Sequence, residues 1–307
     1  MRAFFYSQLN QWADAKQRFS DLELVQIKNI GDGLKAQFNP ARMVSTGAKI
    51  DKTTIAKRPC FLCAANRPAV QTSVSFGSSF EILVNPFPIL PIHFTIPARQ
   101  HQLQKIKEYY ADLHNLANAY PNLMFFYNGP KCGASAPDHL HFQGGTSGLL
   151  PIQERWDELE ASALPLLNLS DVEGIFLIQD FAYPALAIKS RSVENDEYLF
   201  RIVYDSLPQR EDEIEPMMNI VVWKKGLDTI SVVFPRQKHR PECYSKEGDE
   251  QYLISPGALD MGGLLILPRQ IDFERMNADL LKEVMKEIVL APTEMEKVCE
   301  KIKNTKV

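Results

Sequence analysis

The sequence predicts an α+β chain made of two related halves, each an antiparallel sheet with helices packed on it. Three observations carry this expectation. Strand-like and helix-like stretches are interleaved along the chain. Their order in the first half recurs in the second. The 307 residues, 45% hydrophobic and 23% charged, have the profile of an ordinary globular protein and suit one large domain or two modules of about 150 residues.

In the first half, 80–84 (FEILV) and 92–96 (IHFTI) read as strands around a Pro-rich turn, Asn85-Pro86-Phe87-Pro88. Residues 102–119 place Leu103, Ile106, Tyr110, Leu113 and Ala117 at three- and four-residue spacing, which predicts an amphipathic helix. LMFFY at 123–127 follows as a strand, then a Gly-rich loop, then HLHFQ at 139–143. In the second half, 175–189 parallels the first strand pair with its Pro-containing turn, 195–206 the helix, 217–223 the next strand, and 230–241 falls where the histidine strand lies. A strand and helix at 262–288 close the fold, with Leu281, Val284, Met285 and Ile288 forming an apolar face. The acidic, partly helical stretch 154–171 joins the halves, so the expected units are 1–160 and 161–307. The three Trp residues, 12, 156 and 223, are expected in the core, and the last seven residues as a loose tail.

Net charge is −4, from 34 basic and 38 acidic residues, which argues against nonspecific binding to nucleic acid or an anionic membrane. No segment approaches the ~18 uncharged apolar residues of a membrane span, and the first residues lack a signal-peptide core, so a cytoplasmic protein is expected. Five cysteines are too few, and odd in number, for a secreted disulfide scaffold.

The richest stretch is 133–145, GASAPDHLHFQGG. Histidines two apart on a strand project to one face, so His139 and His141 can serve one site, with Gln143 offering an amide donor on the same side. Upstream, Asn128 ends a strand, and Gly129, Gly133, Ala134 and Ser135 make a loop whose backbone amides can approach an anion. An imidazole nucleophile, an amide donor and clustered N–H groups suit attack on phosphorus. Taken alone, His-x-His also fits two satisfied structural histidines. Cys60-Phe-Leu-Cys63 supplies half of a tetrahedral site. Pro59 before it and Asn66-Arg67-Pro68 after it suit zinc better than a thioredoxin-like redox pair. Among histidines 93, 101, 114, 139, 141 and 239, spacing does not select the other ligands; His101 follows a strand, while His114 reads as a surface residue of the helix.

Together, Cys60-Phe-Leu-Cys63-Ala-Ala-Asn66-Arg67, Asn85-Pro-Phe-Pro, His93 with His101, Asn128, and Gly133-Ala-Ser135 ahead of His139-Leu-His141-Phe-Gln143 resemble the galactose-1-phosphate uridylyltransferase branch of the histidine-triad superfamily. Within it, HLHFQ after GAS is most similar to GDP-hexose phosphorylases, and the Cys pair to zinc-containing uridylyltransferases. The detailed match covers 58–145. The resemblance implies a histidine-triad-like fold and a nucleotidyltransferase or phosphorylase acting on a nucleoside diphosphate sugar or dinucleoside polyphosphate, with phosphate or a sugar 1-phosphate as acceptor. His141 would be the nucleophile, Gln143 would bind phosphoryl oxygens, Ser135 the departing or incoming phosphate, and Asn128 the nucleotide phosphate. Cys60, Cys63, His101 and His139 would bind a structural zinc. A homodimer is compatible with the resemblance. The stretch from Ser135 to His139 carries Asp138 and is one residue longer than the family's pattern. A histidine-triad hydrolase, with water as acceptor, and a noncatalytic zinc-containing nucleotide-binding protein are the alternatives.

Two basic clusters lie outside this stretch. Residues 41–67 hold Arg42, Lys49, Lys52, Lys57, Arg58 and Arg67 against Asp51 alone, enough to line a diphosphate pocket or a solvated loop. Arg236, Lys238, His239 and Arg240 form the second, placed to reach a phosphate from the second half. The Gly-rich loop 255–263 lacks a GxGxxG or Walker spacing and is assigned no nucleotide role.

Overall fold

Two helices, Arg2–Gln11 and Ala13–Leu22, open the chain, followed by a hairpin of β1 (Gln26–Gly31) and β2 (Leu34–Phe38). In this computed structural model residues 1–43, 47 and 51–306 are described, apart from the side chains of Lys52 and Ala56. The expected basic contributions of Lys49 and the Lys52 side chain therefore lie outside the described residues.

The first half then supplies β3 (Ser73–Phe76), β4 (Phe80–Val84), β5 (His93–Pro97), β6 (Leu123–Asn128) and β7 (His141–Thr146). The second supplies β8 (Leu164–Asn168), β9 (Gly174–Ile178), β10 (Ala185–Ser190), β11 (Met218–Lys225) and β12 (Asp228–Pro235). All ten form one sheet in the order β3-β4-β5-β7-β6-β11-β12-β10-β9-β8. The order reads as a mirror about the central β6–β11 pair, where Asn128 stands opposite Asn219 and Phe126 opposite Val221. A last strand, β13 (Leu264–Leu267), pairs in parallel with β2, so the N-terminal hairpin and the C-terminal strand share a second, three-stranded sheet.

The central strands are apolar on both faces because both are covered. On β6, Leu123, Phe125 and Tyr127 join one core and Met124 and Phe126 the other. Against the first face pack Arg2–Gln11, Tyr110–Ala119, Val193–Ser206 and Pro292–Lys303; against the second pack the small sheet and Ala278–Lys286. Local signals start these helices: Ser192 and Asn277 accept N–H bonds from Asn195 and Leu280 as N-caps, and Pro292 occupies a first-turn position. Trp12, Trp156 and Trp223 are all buried, the last two edge to face at 5.3 Å.

Three expectations are corrected. The 102–119 helix begins only at Tyr110, because 101–106 lies along the 133–140 loop: Leu140 N donates to Gln102 O (2.7 Å) and Gln104 N to Pro137 O (3.1 Å). His114 is not on the surface but fully buried, with Nδ1 2.7 Å from Asp196 Oδ2 on Val193–Ser206. The C-terminal stretch is not a loose tail through 301–303, which finish a helix whose Ile302 is in the core.

Candidate active site and metal centre

Residues 60–66 form a tight knuckle. Cys63 N donates to Cys60 O (3.2 Å), Asn66 N to Cys63 O (2.9 Å), and the Asn66 side chain returns to Cys60 O (2.9 Å). Arg67 braces it from below, donating Nε to Leu62 O (2.8 Å) and Nη1 to Glu81 (2.6 Å). The knuckle turns Cys60 and Cys63 toward His101 and His139, and the four ligand atoms lie within 4.8 Å of one another. Cys60 Sγ is 3.3 Å from His139 Nδ1, and Cys63 Sγ is 3.2 Å from His101 Nδ1 and 3.6 Å from His139 Nδ1. A tetrahedral ion with sulfur at about 2.3 Å and nitrogen at about 2.05 Å requires S···N edges of about 3.5 Å, so the set fits one. The outer contacts fit as well. His139 Nε2 donates to Ala98 O (2.7 Å), which leaves the lone pair on Nδ1, facing the sulfurs. Asp138 accepts from Arg58 (3.0 Å) and its carboxylate lies 3.7 Å from His101 Nε2.

His139 lies just before β7 and His141 begins it. The His141 ring is 3% exposed and its Nδ1 is 2.8 Å from His139 O. A carbonyl oxygen only accepts, so Nδ1 carries the proton and Nε2 the lone pair. Burial pushes the His141 pKa down to about 4, which keeps the ring neutral near pH 7.

Two residues on, the same logic fixes the Gln143 amide. Ile89 N donates to His93 Nδ1 (3.1 Å), so the proton of the buried His93 ring sits on Nε2, which faces Gln143 Oε1 at 3.0 Å. Asn85 Nδ2 adds a longer bond to the same oxygen (3.4 Å). With its oxygen engaged, Gln143 has its NH2 group left to offer a ligand.

Asn128 is held across the middle of the sheet. Its Oδ1 accepts from Asn219 Nδ2 (2.8 Å) and from Ala258 N (2.7 Å). Asn219 is set in turn by Cys132 O (2.7 Å) and by Arg236 Nη1 (2.9 Å). Arg236 is buried, and its Nη1 and Nη2 also bond Pro256 O, Lys238 O and His239 O at 2.7–3.0 Å. The loop 255–258 thereby closes against the 129–135 loop after Asn128. Gly133 has φ +95°, and a Cβ there would stand 2.9 Å from Gly257 Cα and Pro256 O, so glycine is required on both counts.

The fold thus brings His141, Gln143 and Asn128 to one end of β6 and β7, with the Cys/His cluster beside the 133–140 loop. Ser135 lies in that loop, its carbonyl accepting from Arg58 Nη2 (3.1 Å). The basic residues are differently placed. Arg67 supports the knuckle, and Arg236 acts on Asn128 through Asn219. Lys238 pairs with Glu287 (2.7 Å), while Arg240 donates to Ser255 (2.9 Å) and stacks over Tyr244. Residues the motifs did not single out are Asn219, whose signal was a lone amide inside an apolar strand, and Gln104, which a helical reading of 102–119 concealed.

The family described as Domain of unknown function (DUF4922) matches residues 4–146, just under half of the chain. No curated protein matches the sequence. Among solved structures, yeast Ap4A phosphorylase Apa2 in complex with Ap4A aligns with TM-score 0.59 and 13% identity over 92% of this chain and 97% of that one. The same yeast protein with AMP aligns at 0.56 and 15%, over 90% and 96%. The chain shares the fold of the yeast phosphorylase. The expected α+β architecture is therefore borne out over both halves. The Arabidopsis thaliana ADP-glucose phosphorylase with bound ADP-glucose aligns at 0.39 and 12%, over 92% and 98%, a score too low to add to this.

Proposed function

We propose that this protein is a nucleotidyltransferase or phosphorylase that acts on a nucleoside diphosphate sugar or a dinucleoside polyphosphate through a covalent nucleotidyl-His141. One observation carries it: on a single rigid strand, His141 has its Nδ1 proton fixed on its own backbone neighbour and Gln143, two residues on, has its amide oxygen fixed on His93. A neutral Nε2 lone pair and an oriented amide donor are what phosphoryl attack requires. The fold shared with an Ap4A phosphorylase supports the same reading.

In the first step, His141 Nε2 forms a bond to the α-phosphorus. The P–O bond to the leaving phosphate breaks, and its electron pair departs with that oxygen. The Nδ1 proton stays in place, so the ring becomes a cationic phosphoramidate whose charge faces the His139 carbonyl. In the second step, phosphate or a sugar 1-phosphate attacks the phosphorus and the Nε2–P bond returns its pair to the ring. Gln143 NH2, Asn128 and the backbone amides of 129–135, with Ser135, bind the phosphoryl oxygens. Arg236, through Asn219, holds Asn128 rather than contacting phosphate itself.

Cys60, Cys63, His101 and His139 are the residues that would hold zinc, which with four protein ligands supplies a structural crosslink and no open coordination position. It would tie 60–63 and 101 to the loop that carries His141. Residues 1–160 and 161–307 act as catalytic and supporting halves of one enzyme.

The test is incubation with ADP-glucose, GDP- and UDP-hexoses and Ap4A, followed by intact-mass measurement. A nucleotidyl adduct that phosphate discharges is expected, and none on His141→Ala. An adduct that persists on His141→Ala refutes the nucleophile. Release of free nucleotide in water, with no faster release on adding phosphate or sugar phosphate, refutes transfer in favour of hydrolysis.

A further inference from the structure

The β6–β7 ladder stops early. Its last pair is Phe126 with Gln143, although on the other edge of β7 the pairing with β5 runs on to Pro97 with His141. Continued regularly, the ladder would have joined Asn128 to His141. The side chain of Gln104 fills that gap. Its Oε1 accepts from His141 N (2.8 Å), and its Nε2 donates to His141 O (3.0 Å) and to Asn128 O (2.9 Å). A side-chain carboxamide has the same donor and acceptor as a peptide, so one glutamine serves as a surrogate strand residue between the two strand ends.

We propose that Gln104 is a positioning residue for nucleotidyl transfer, a wedge that spreads the ends of β6 and β7 and sets the distance between His141 and Asn128. The role rests on the nucleotidyl-His141 reading above. Gln104 is fully buried, and all three bonds go to backbone atoms of site residues. Its own backbone is anchored on both sides: Gln104 N donates to Pro137 O (3.1 Å) and Ile106 N to Glu215 Oε2 (2.9 Å). Three residues upstream is His101, of the Cys/His cluster. Segment 101–106 therefore connects the metal-type cluster to the nucleophile through Gln104. A leucine fills the same volume and leaves three buried backbone groups unserved, so strand ends held apart by the amide lose their spacing.

The test uses the full-length, zinc-loaded protein with Ap4A or ADP-glucose as the probe, and Gln104→Leu and Gln104→Glu. Single-turnover adduct formation at saturating probe is expected to fall about 100-fold in Q104L, the scale of a misplacement near 1 Å. It should fall about 10-fold in Q104E, which keeps an acceptor for His141 N. KM and zinc content should move less than about threefold in both. Amide exchange at His141, whose N–H donates to Gln104 Oε1, should speed up at least about tenfold in Q104L and stay near wild type in Q104E. Unchanged adduct formation per folded molecule, a loss confined to KM, or unchanged His141 exchange in Q104L overturns the proposal. If Q104L does not fold, Q104E decides: wild-type adduct rates there overturn it. If the wild type forms no adduct, the functional reading fails, and His141 exchange in the two variants still decides the wedge.

Discussion

Replacing His93 by leucine removes two bonds at once, the acceptor for Ile89 N–H and the donor to Gln143 Oε1. The Ile89–His93 bond is buried and the His93–Gln143 bond half-buried, and a buried group left unserved costs about 1–3 kcal/mol. Asn85 retains a long bond to the Gln143 oxygen, so a loss of about 3 kcal/mol at pH 7 is expected. The loss should shrink in acid. Burial, aided by the Arg42 guanidinium, pushes the His93 pKa down to about 3, against the 6.5 of an exposed histidine. A group with a depressed folded pKa that is neutral in the fold stabilises the wild type only while the unfolded chain is also neutral. As pH falls below 6.5 the unfolded state takes up a proton that the folded state refuses until about pH 3. At pH 5 this costs the wild type about 2 kcal/mol that leucine does not lose. Urea unfolding of both proteins at pH 7 and pH 5 should therefore give differences of about 3 and about 1 kcal/mol. The other buried histidines, present in both proteins, cancel. In parallel, Gln143 can turn its oxygen toward the phosphoryl group, and adduct formation should fall about 10²–10³-fold, the scale of losing one transition-state donor. A difference that is constant or grows in acid, or wild-type adduct formation, would refute the His93–Gln143 assignment.

Glu215 titrates the other way. Its carboxylate accepts from Tyr127 OH (2.5 Å) and Ile106 N (2.9 Å), and burial raises its pKa to about 7. Its favourable contribution is complete below pH 4.5 and is lost as pH rises to 7, by about 3 kcal/mol, so Glu215→Gln should gain on the wild type over that range in denaturant titrations. Asp138→Asn weakens the partner of Arg58 and His101, and zinc affinity, read by competition with a chromophoric chelator, should drop about 10–100-fold. Gly133→Ala places a Cβ against Gly257 and Pro256 at a left-handed φ, so a loss of about 1–3 kcal/mol in thermal or urea unfolding is expected, with slowed adduct formation.

Much of the site was legible because its chemistry is local. Cys60 and Cys63 are close in any fold, and His141 and Gln143 share a strand face through the two-residue pleat. Strands such as 123–127 and 217–223 were legible from apolar runs, since both faces of the central sheet are covered. Periodicity misled at 102–109, where Leu103 and Ile106 have helical spacing but the backbone bonds instead to the loop before β7. It misled again at His114, whose buried partner Asp196 is 82 residues away.

By itself, then, the sequence determined the α+β class, the succession of four strands and a helix along each half, and the positions of the His-x-His-x-Gln and Cys-x-x-Cys motifs. Their signals are short-range: residue type, spacing, and the period of a strand or helix. Only the tertiary structure decided that His101 and His139 complete one cluster with the two cysteines, that Arg236 is bonded to Asn219 where a phosphate contact was expected, and that Gln104 bonds the ends of both β6 and β7. Each of these depends on contacts between segments distant in sequence. Such contacts exist only once the mirror-ordered sheet has paired β6 with β11 and laid 101–106 beside β7.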